Sequence, residues 1–479
     1  MRQRRAHSSA AGSNRSRSKR PALAVVLALV LLVLAGLMGG SSRPDTVSLL
    51  LLRPVSVAIA AWALVGLTRE QRAGFNDWLI LFASVIALLL VHLVPLPPGL
   101  WHSLPGRDLV VAIDAATGLN PWRPLSLDPQ LTRNALWSLA APAGALLLAL
   151  RVDRRGGQTI FHAVLAAGLV SGLLGVVQFA SGPDSPLYWY RITNFTSAVG
   201  LFANRNHAGV FLACQFPLLA AFAVTGAQDG ARQTRMIVAA AIAAVLVPMI
   251  LTTGSRAGLL AGVIGLLGAA MLVRPHVTLL AKGRRSRPSR GLLIGALIAG
   301  FLVFCALYIG LNQGNSLDRI VGGADSQTEL RWPIWRATLA AAKDVFPWGS
   351  GVGAFTSVFD IYEPDSILGP SYVNHAHNDY LEVLLGGGIP GVLLLIAALW
   401  LIARDGWRVW RATASDSAVV MGRAAFIALM QLSLASAFDY PLRTSLMAVF
   451  AAFLVVWLRR GALAAVPASA GSRFAPNSR

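Results

Sequence analysis

Apolar residues in this chain run in long unbroken blocks, separated by short polar or proline-rich breaks. A helix needs about 20 mostly apolar residues to cross roughly 30 Å of hydrocarbon. Twelve stretches meet or approach that length: 21–38, 47–66, 78–94, 134–150, 159–180, 207–225, 236–252, 257–273, 291–311, 389–403, 419–438 and 445–458. The last is short unless Pro441–Thr444 dips into the interface. Only Thr253–Arg256 separates two of them, which predicts a tight turn. None alternates polar and apolar residues over ~10-residue segments, as a barrel strand would. The pattern predicts an all-α polytopic membrane protein with about twelve transmembrane helices.

Composition agrees. The chain has 479 residues, is 55% hydrophobic and only 13% charged, about half the ~25% of a soluble domain. Mean hydropathy is +0.61. Such apolar content excludes disorder. Cys214 and Cys305 each lie within an apolar run and form no disulfide framework.

The net charge of +20 reads as topology. Segments 1–20, 67–77, 151–158, 226–235, 274–290, 404–418 and 459–479 hold 27 Lys and Arg against 6 acids, and the opposite connections hold 12 against 15. By the positive-inside rule both termini are expected in the cytoplasm. The basic run Lys282–Arg290 is then a topology determinant that also attracts anionic membrane lipids. No basic stripe with interleaved aromatics accompanies it, so no nucleic-acid partner is expected. Residues 1–20 form a basic cytoplasmic tail, 21–458 the membrane domain and 459–479 a disordered cytoplasmic tail rich in Ala, Ser, Gly and Pro. The apolar stretch within 1–38 exceeds a 7–15-residue signal-peptide core and lacks a clear cleavage site, which predicts a retained signal anchor.

Two outer loops are too long to be simple connectors. The first, 95–133, is dense in proline, which excludes a long helix. Trp101 and Trp122 are its expected interface anchors. The second, 312–388, carries Arg319, Arg331, Arg336 and Lys343 and nine acids, and is expected to hold the working site. Within it, Gln327–Phe346 reads as a helix, with Trp332, Trp335, Leu339 and Ala342 on one stripe. Pro333 fits its first turn and Arg331 its N-terminal end.

The densest polar cluster is Asn374-His375-Ala376-His377-Asn378-Asp379-Tyr380-Leu381-Glu382. Three readings compete. His-x-His can ligate metal, but no third His, Cys or Glu-x-x-His completes a set. The His and Asn side chains can cap the helix entering the membrane. A histidine can also serve as acid or base, since its unperturbed pKa of ~6.5 lies near operating pH. Arg205 and Arg256 open outer span ends, where snorkelling is the plain alternative to ligand binding. With Arg331 they point to an anionic, phosphate-bearing substrate, because guanidinium keeps its charge and grips phosphate with two bonds. At an outer leaflet, a polyprenyl-diphosphate lipid fits that description.

These residues resemble the O-antigen ligase and polymerase superfamily. Its ligases carry His, then Asn, Ser or Gln, nine residues, and Gly-x-x-Gly, as in His377-Asn378 and Gly388-Ile389-Pro390-Gly391. Arg331–Trp335, Gly349–Phe355, Ser255–Gly258 and Phe202–His207 are also similar to the family. One departure is that the family's Arg-x-x-x-Leu appears here as Arg331 with Trp335, while Arg256 with Leu260 fits by letter elsewhere. The resemblance implies a GT-C-like, inverting, metal-independent glycosyltransferase with no cofactor. Its donor would be a glycan on undecaprenyl diphosphate. Its acceptor would be lipid A-core for a ligase or a growing polysaccharide for a polymerase, and a third branch glycosylates protein. His377 would be the base, with His375 and Asn378 orienting it. Arg331 and Arg256, with Arg205 and Arg336, would bind the diphosphate. The rival from another class is an anion or lipid transporter, disfavoured because no acid falls within the predicted spans and no internal repeat is visible.

Overall fold

A computed structural model of the chain describes residues 22–226, 229–282, 326–369, 372–413 and 416–466. The architecture is a helical bundle. Three shorter apolar helices come first: α1 (Ala22–Met38), α2 (Leu49–Val65) and α3 (Asn76–His92). Then follow α4 (Pro129–Arg151), α5 (Arg154–Ala180), α6 (Arg205–Val224), α7 (Asp229–Thr253) and α8 (Arg256–Lys282). The loop helices α9 (Ser326–Asp344) and α10 (Phe355–Tyr362) precede α11 (Asp379–Arg411), α12 (Ser417–Ser436) and α13 (Ser445–Ala464). Among the described residues, eight helices (α4–α8 and α11–α13) are long and apolar enough to cross a membrane. The predicted span 291–311, Arg319, Cys305 and the 1–20 tail lie outside the described residues.

Helices suit this setting because each satisfies its own backbone hydrogen bonds away from water. Their starts are sealed by side chains: Asp153 accepts from Gly156 N, Asp416 from Ala418 N and Thr444 from Met447 N. The central helix is α6. Its apolar window is 94% buried, against 33% for α8.

Several boundaries differ from expectation. Helix α13 continues past 458 to Ala464, because Arg459 is buried and paired there and not part of a loose tail. Helix α11 begins at Asp379, inside the expected loop, and extends to Arg411, so it does contain an acid, Asp405. That fully buried carboxylate is compensated: Arg459 Nη1 and Arg404 Nη2 each lie 2.8 Å from its Oδ1, and Trp78 Nε1 donates to Oδ2 at 3.1 Å. Proline breaks the 95–133 loop into short helices, Pro98–Trp101 and Asp108–Thr117, joined by a two-residue antiparallel pairing of Pro95–Leu96 with Arg123–Pro124. Trp122 is exposed, but Trp101 is buried with its Nε1 donating to Pro124 O, so it braces the loop from within.

The helix expected in the long loop forms as α9, and its inward face overlaps the expected stripe in part: Ala342 is buried and Trp335 half-buried, its Nε1 donating to Ala376 O at 2.9 Å. Trp332 is 65% exposed and Leu339 is also exposed, while Ile334, Ala337, Thr338, Ala341 and Val345 are buried. Small alanines let this face approach its neighbours closely, and the bulkier Trp332 indole is left outside. Because α9 starts at Ser326, Arg331 and Pro333 lie more than a turn inside it, not at its first residues.

Helix α11 is kinked at Gly388, whose backbone has φ +55° and ψ −149°. The Pro347–Gly351 loop lies directly on this kink. Ser350 N donates to Leu385 O, Gly351 N to Gly386 O, and Ile389 N to Pro347 O, at 2.8–3.0 Å. A Cβ on Gly388 would fall 2.1 Å from Pro347 O, so only glycine fits. Between α3, α11 and α13 runs an apolar cavity of about 380 Å³, with Glu382 and Arg443 at one end.

Gly388→Ala is expected to lower the melting temperature of purified protein and its monodisperse yield. Gly387→Ala, where an added methyl finds its nearest neighbour 3.7 Å away, is expected to be tolerated. Thermal unfolding followed by size-exclusion chromatography checks both; equal tolerance would show that the kink is not backbone-restricted.

Candidate functional site

Four segments converge at one end of the bundle: the start of α6, the α7–α8 turn, the loop before α11, and the α12–α13 connection. At their centre is Asp439, 1% exposed. Its Oδ2 accepts from Asn206 Nδ2 at 2.7 Å. His377 Nδ1 lies 3.3 Å from its Oδ1, and His207 Nε2 lies 3.9 Å from the same oxygen. Asn206 is itself held by Ser255 Oγ, which donates to its Oδ1 at 2.8 Å. Thus Arg205 and Arg256 each adjoin a member of one polar chain, Ser255–Asn206–Asp439–His377.

His377 is the sole non-glycine residue with positive φ (+51°) among the described residues. Such strain persists only where surroundings impose it. Here the imposition is visible: Asn378 Oδ1 accepts from Tyr380 N and Leu381 N, capping α11 and fixing the turn. Asn378 therefore acts on the backbone of His377, not on its ring. His375 contacts Glu382 Oε1 through Nδ1 at 3.1 Å. Arg443 Nε then joins Glu382 and Asp379 at 3.1 and 3.0 Å. The Tyr440 ring packs against all three imidazoles, 4.2 Å from His375, 5.0 Å from His377 and 5.1 Å from His207 between centroids.

Burial alone would raise the Asp439 pKa. It is outweighed by the contact with His377, the charge interactions with His207 and His377, and the Asn206 hydrogen bond, so the carboxyl stays ionised, well below its usual range. Burial, then the Asp439 charge, drive the Tyr440 phenol upward. It is a hydrogen-bond donor here and no base.

His377, His207 and Tyr440 face a cavity of about 710 Å³. Arg43 and Arg191 stand in its wall, and Leu330 and Ile334 of α9 close one side. Arg331, between those two, has a buried Nε with no hydrogen-bond partner among the described residues. At 100° per residue it sits roughly 60° from Ile334 around the helix, whereas Arg336 sits roughly 160° away and is exposed. Arg336 thus faces away from the cavity that Arg331 adjoins. Arg205 is buried at the first turn of α6, and Arg256 is exposed at the first residue of α8.

Residues 239–396 match the O-Antigen ligase family. The chain carries an O-antigen ligase family domain. The matched segment holds Arg256, Arg331, His375, His377, Asn378 and the Gly388–Gly391 motif, while Arg205 and Asp439 lie outside it. No curated protein matches the chain. The similarity covers about a third of the chain, and among the described residues it is accompanied by eight helices long and apolar enough to cross a membrane.

Sequence reasoning did not single out Asp439, His207, Tyr440, Arg443, Arg43 or Arg191 as site residues. Asp439-Tyr440-Pro441, an acid directly after the predicted span 419–438, was the available signal.

Because Asp439 is depressed in the folded chain, its charge stabilises the fold above the unfolded carboxylate value of about 3.9, and that contribution is lost as pH falls further. The stability gap between the wild type and Asp439→Asn is expected to be full at pH 6 and to narrow below about pH 4. Thermal unfolding in neutral detergent across that range measures it; a gap that widens on acidification would contradict the assignment.

Proposed function

We propose that the chain is a metal-independent, inverting glycosyltransferase. It moves a glycan from a polyprenyl-diphosphate carrier to an acceptor hydroxyl on the periplasmic face of the bacterial inner membrane. The observation that carries this reading is His377, held in a strained backbone with Nδ1 on the ionised Asp439 and its ring at a large arginine-walled cavity. With Nδ1 turned to Asp439, Nε2 is the atom available to take the acceptor proton. General-base action of this kind contributes about 10²–10⁴ in rate. Asp439 orients the ring and offsets the positive charge it gains. The freed hydroxyl attacks the anomeric carbon opposite the diphosphate, which leaves with both electrons of the broken C–O bond, and the configuration inverts. Arg331, Arg256 and Arg205 compensate the charge that collects on the leaving group, joined by Arg43 and Arg191 of the cavity wall. His375, tied to Glu382, and Asn378 position His377. Arg336 has no part in this step.

The reading keeps twelve spans in a GT-C-like arrangement, both termini cytoplasmic, and 312–388 as the periplasmic catalytic loop. Among acceptors, the ligase branch, with lipid A-core as acceptor, is favoured by the family match, and repeat-unit polymerisation is the second reading.

Transfer from lipid-linked glycan by purified protein is expected to fall by about 10²-fold or more in His377→Ala and Asp439→Asn. Full activity in His377→Ala would remove the base assignment. Arg331→Lys is expected to weaken donor binding, because an ammonium cannot form the paired bonds of guanidinium. In a deletion strain, full-length chains retained on the lipid carrier identify a ligase, and single unpolymerised repeats identify a polymerase.

A further inference from the structure

At the opposite ends of α6, α12 and α13 from His377 lies a second polar cavity, of about 450 Å³. Three guanidinium groups line it, Arg154, Arg235 and Arg460, against one carboxylate, Asp416. That carboxylate already accepts from Ala418 N at 2.8 Å and caps α12. Two of the arginines are fixed in place. Arg235 Nη1 donates to Thr225 O at 2.5 Å, and its guanidinium sits 4.2 Å from the Phe222 ring centroid. Arg460 Nη2 donates to Ala149 O and Val152 O at 2.8 and 3.1 Å. Each guanidinium has five N–H donors, so these bonds leave others for a ligand. Arg154 opens α5 and is exposed. The floor is apolar, built on Phe161 and Trp457 in edge-to-face contact at 5.6 Å.

A positive-inside bias accounts for basic residues at this end of the helices. It does not account for three of them set around a cavity with an aromatic floor. We propose that this cavity binds a phosphate ester, carried on the headgroup of an anionic membrane lipid. The guanidinium cluster matches phosphate oxygens by geometry and charge. The Phe161–Trp457 floor suits the glycerol and first methylenes that follow. Basic pockets between spanning helices bind anionic headgroups on the same principle. This site is separate from the glycan-transfer cavity and does not depend on the reading of that cavity.

The test is native mass spectrometry of the full chain in neutral detergent, titrated with phosphatidylglycerol, phosphatidylcholine or glycerol phosphate. Phosphatidylglycerol is expected to be retained at least about tenfold more tightly than phosphatidylcholine. Arg154→Glu, alone or with Arg235→Gln, is expected to abolish that preference, while Arg72→Gln, at another basic connection, keeps it. Arg154→Glu replaces an exposed residue, so a loss of folding does not confound it. Equal retention of the two lipids would overturn the proposal, as would an unchanged preference in the variants or an equal loss in Arg72→Gln. Glycerol phosphate binding as tightly as phosphatidylglycerol would overturn the lipid source and leave a soluble phosphate ester as the ligand.

Discussion

A carboxylate taken out of water has to recover its lost solvation from neighbours, and Asp439 does so by drawing four parts of the chain to one point. Asn206 and the next residue, His207, come from the first turn of α6, and His377 from the loop before α11. Ser255, at the α7–α8 turn, holds Asn206. None of these segments is adjacent in sequence to the α12–α13 connection that carries the acid. The same compensation that allows Asp439 to be buried also sets the register of these helix ends. The fold of this end and the proposed chemistry therefore rest on one group.

Hydropathy made the bundle legible. Each apolar stretch within the described residues coincides with a helix, because crossing an apolar layer demands length and apolarity that composition records directly. Helix ends were less legible where charge is neutralised by partners far along the chain. Asp405 and Arg459 are each polar enough to end a span by hydropathy, yet their pairing carries both helices past the expected limits. On α9 the 3.6-residue period marks an inward face that includes Trp335 and Ala342, while close packing of Ile334, Ala337 and Ala341 turns Trp332 and Leu339 outward.

The site was legible in part. His375, His377, Asn378 and the Gly388–Gly391 motif stand together in sequence, and their contiguity gave them away. Asp439 and His207 are isolated acids or imidazoles along the chain and acquire meaning only through proximity. The roles also shifted: Asn378 is a cap, which the helix-entry reading of the cluster anticipated, and the orientation of the His377 ring falls to a distant carboxylate.

Helices α11 and α13 are riveted to each other twice. Near one end Arg443 engages Asp379 and Glu382, and near the other Arg459 engages Asp405. The apolar cavity lies between these rivets. A lengthwise slide of one helix past the other would break both sets of ion pairs at once and strand buried charge at each end. The cavity can therefore widen only by a sideways bow of its walls. The hinge for that movement is already present in α11, at Gly388, about two and a half turns from the helix start beside the histidines.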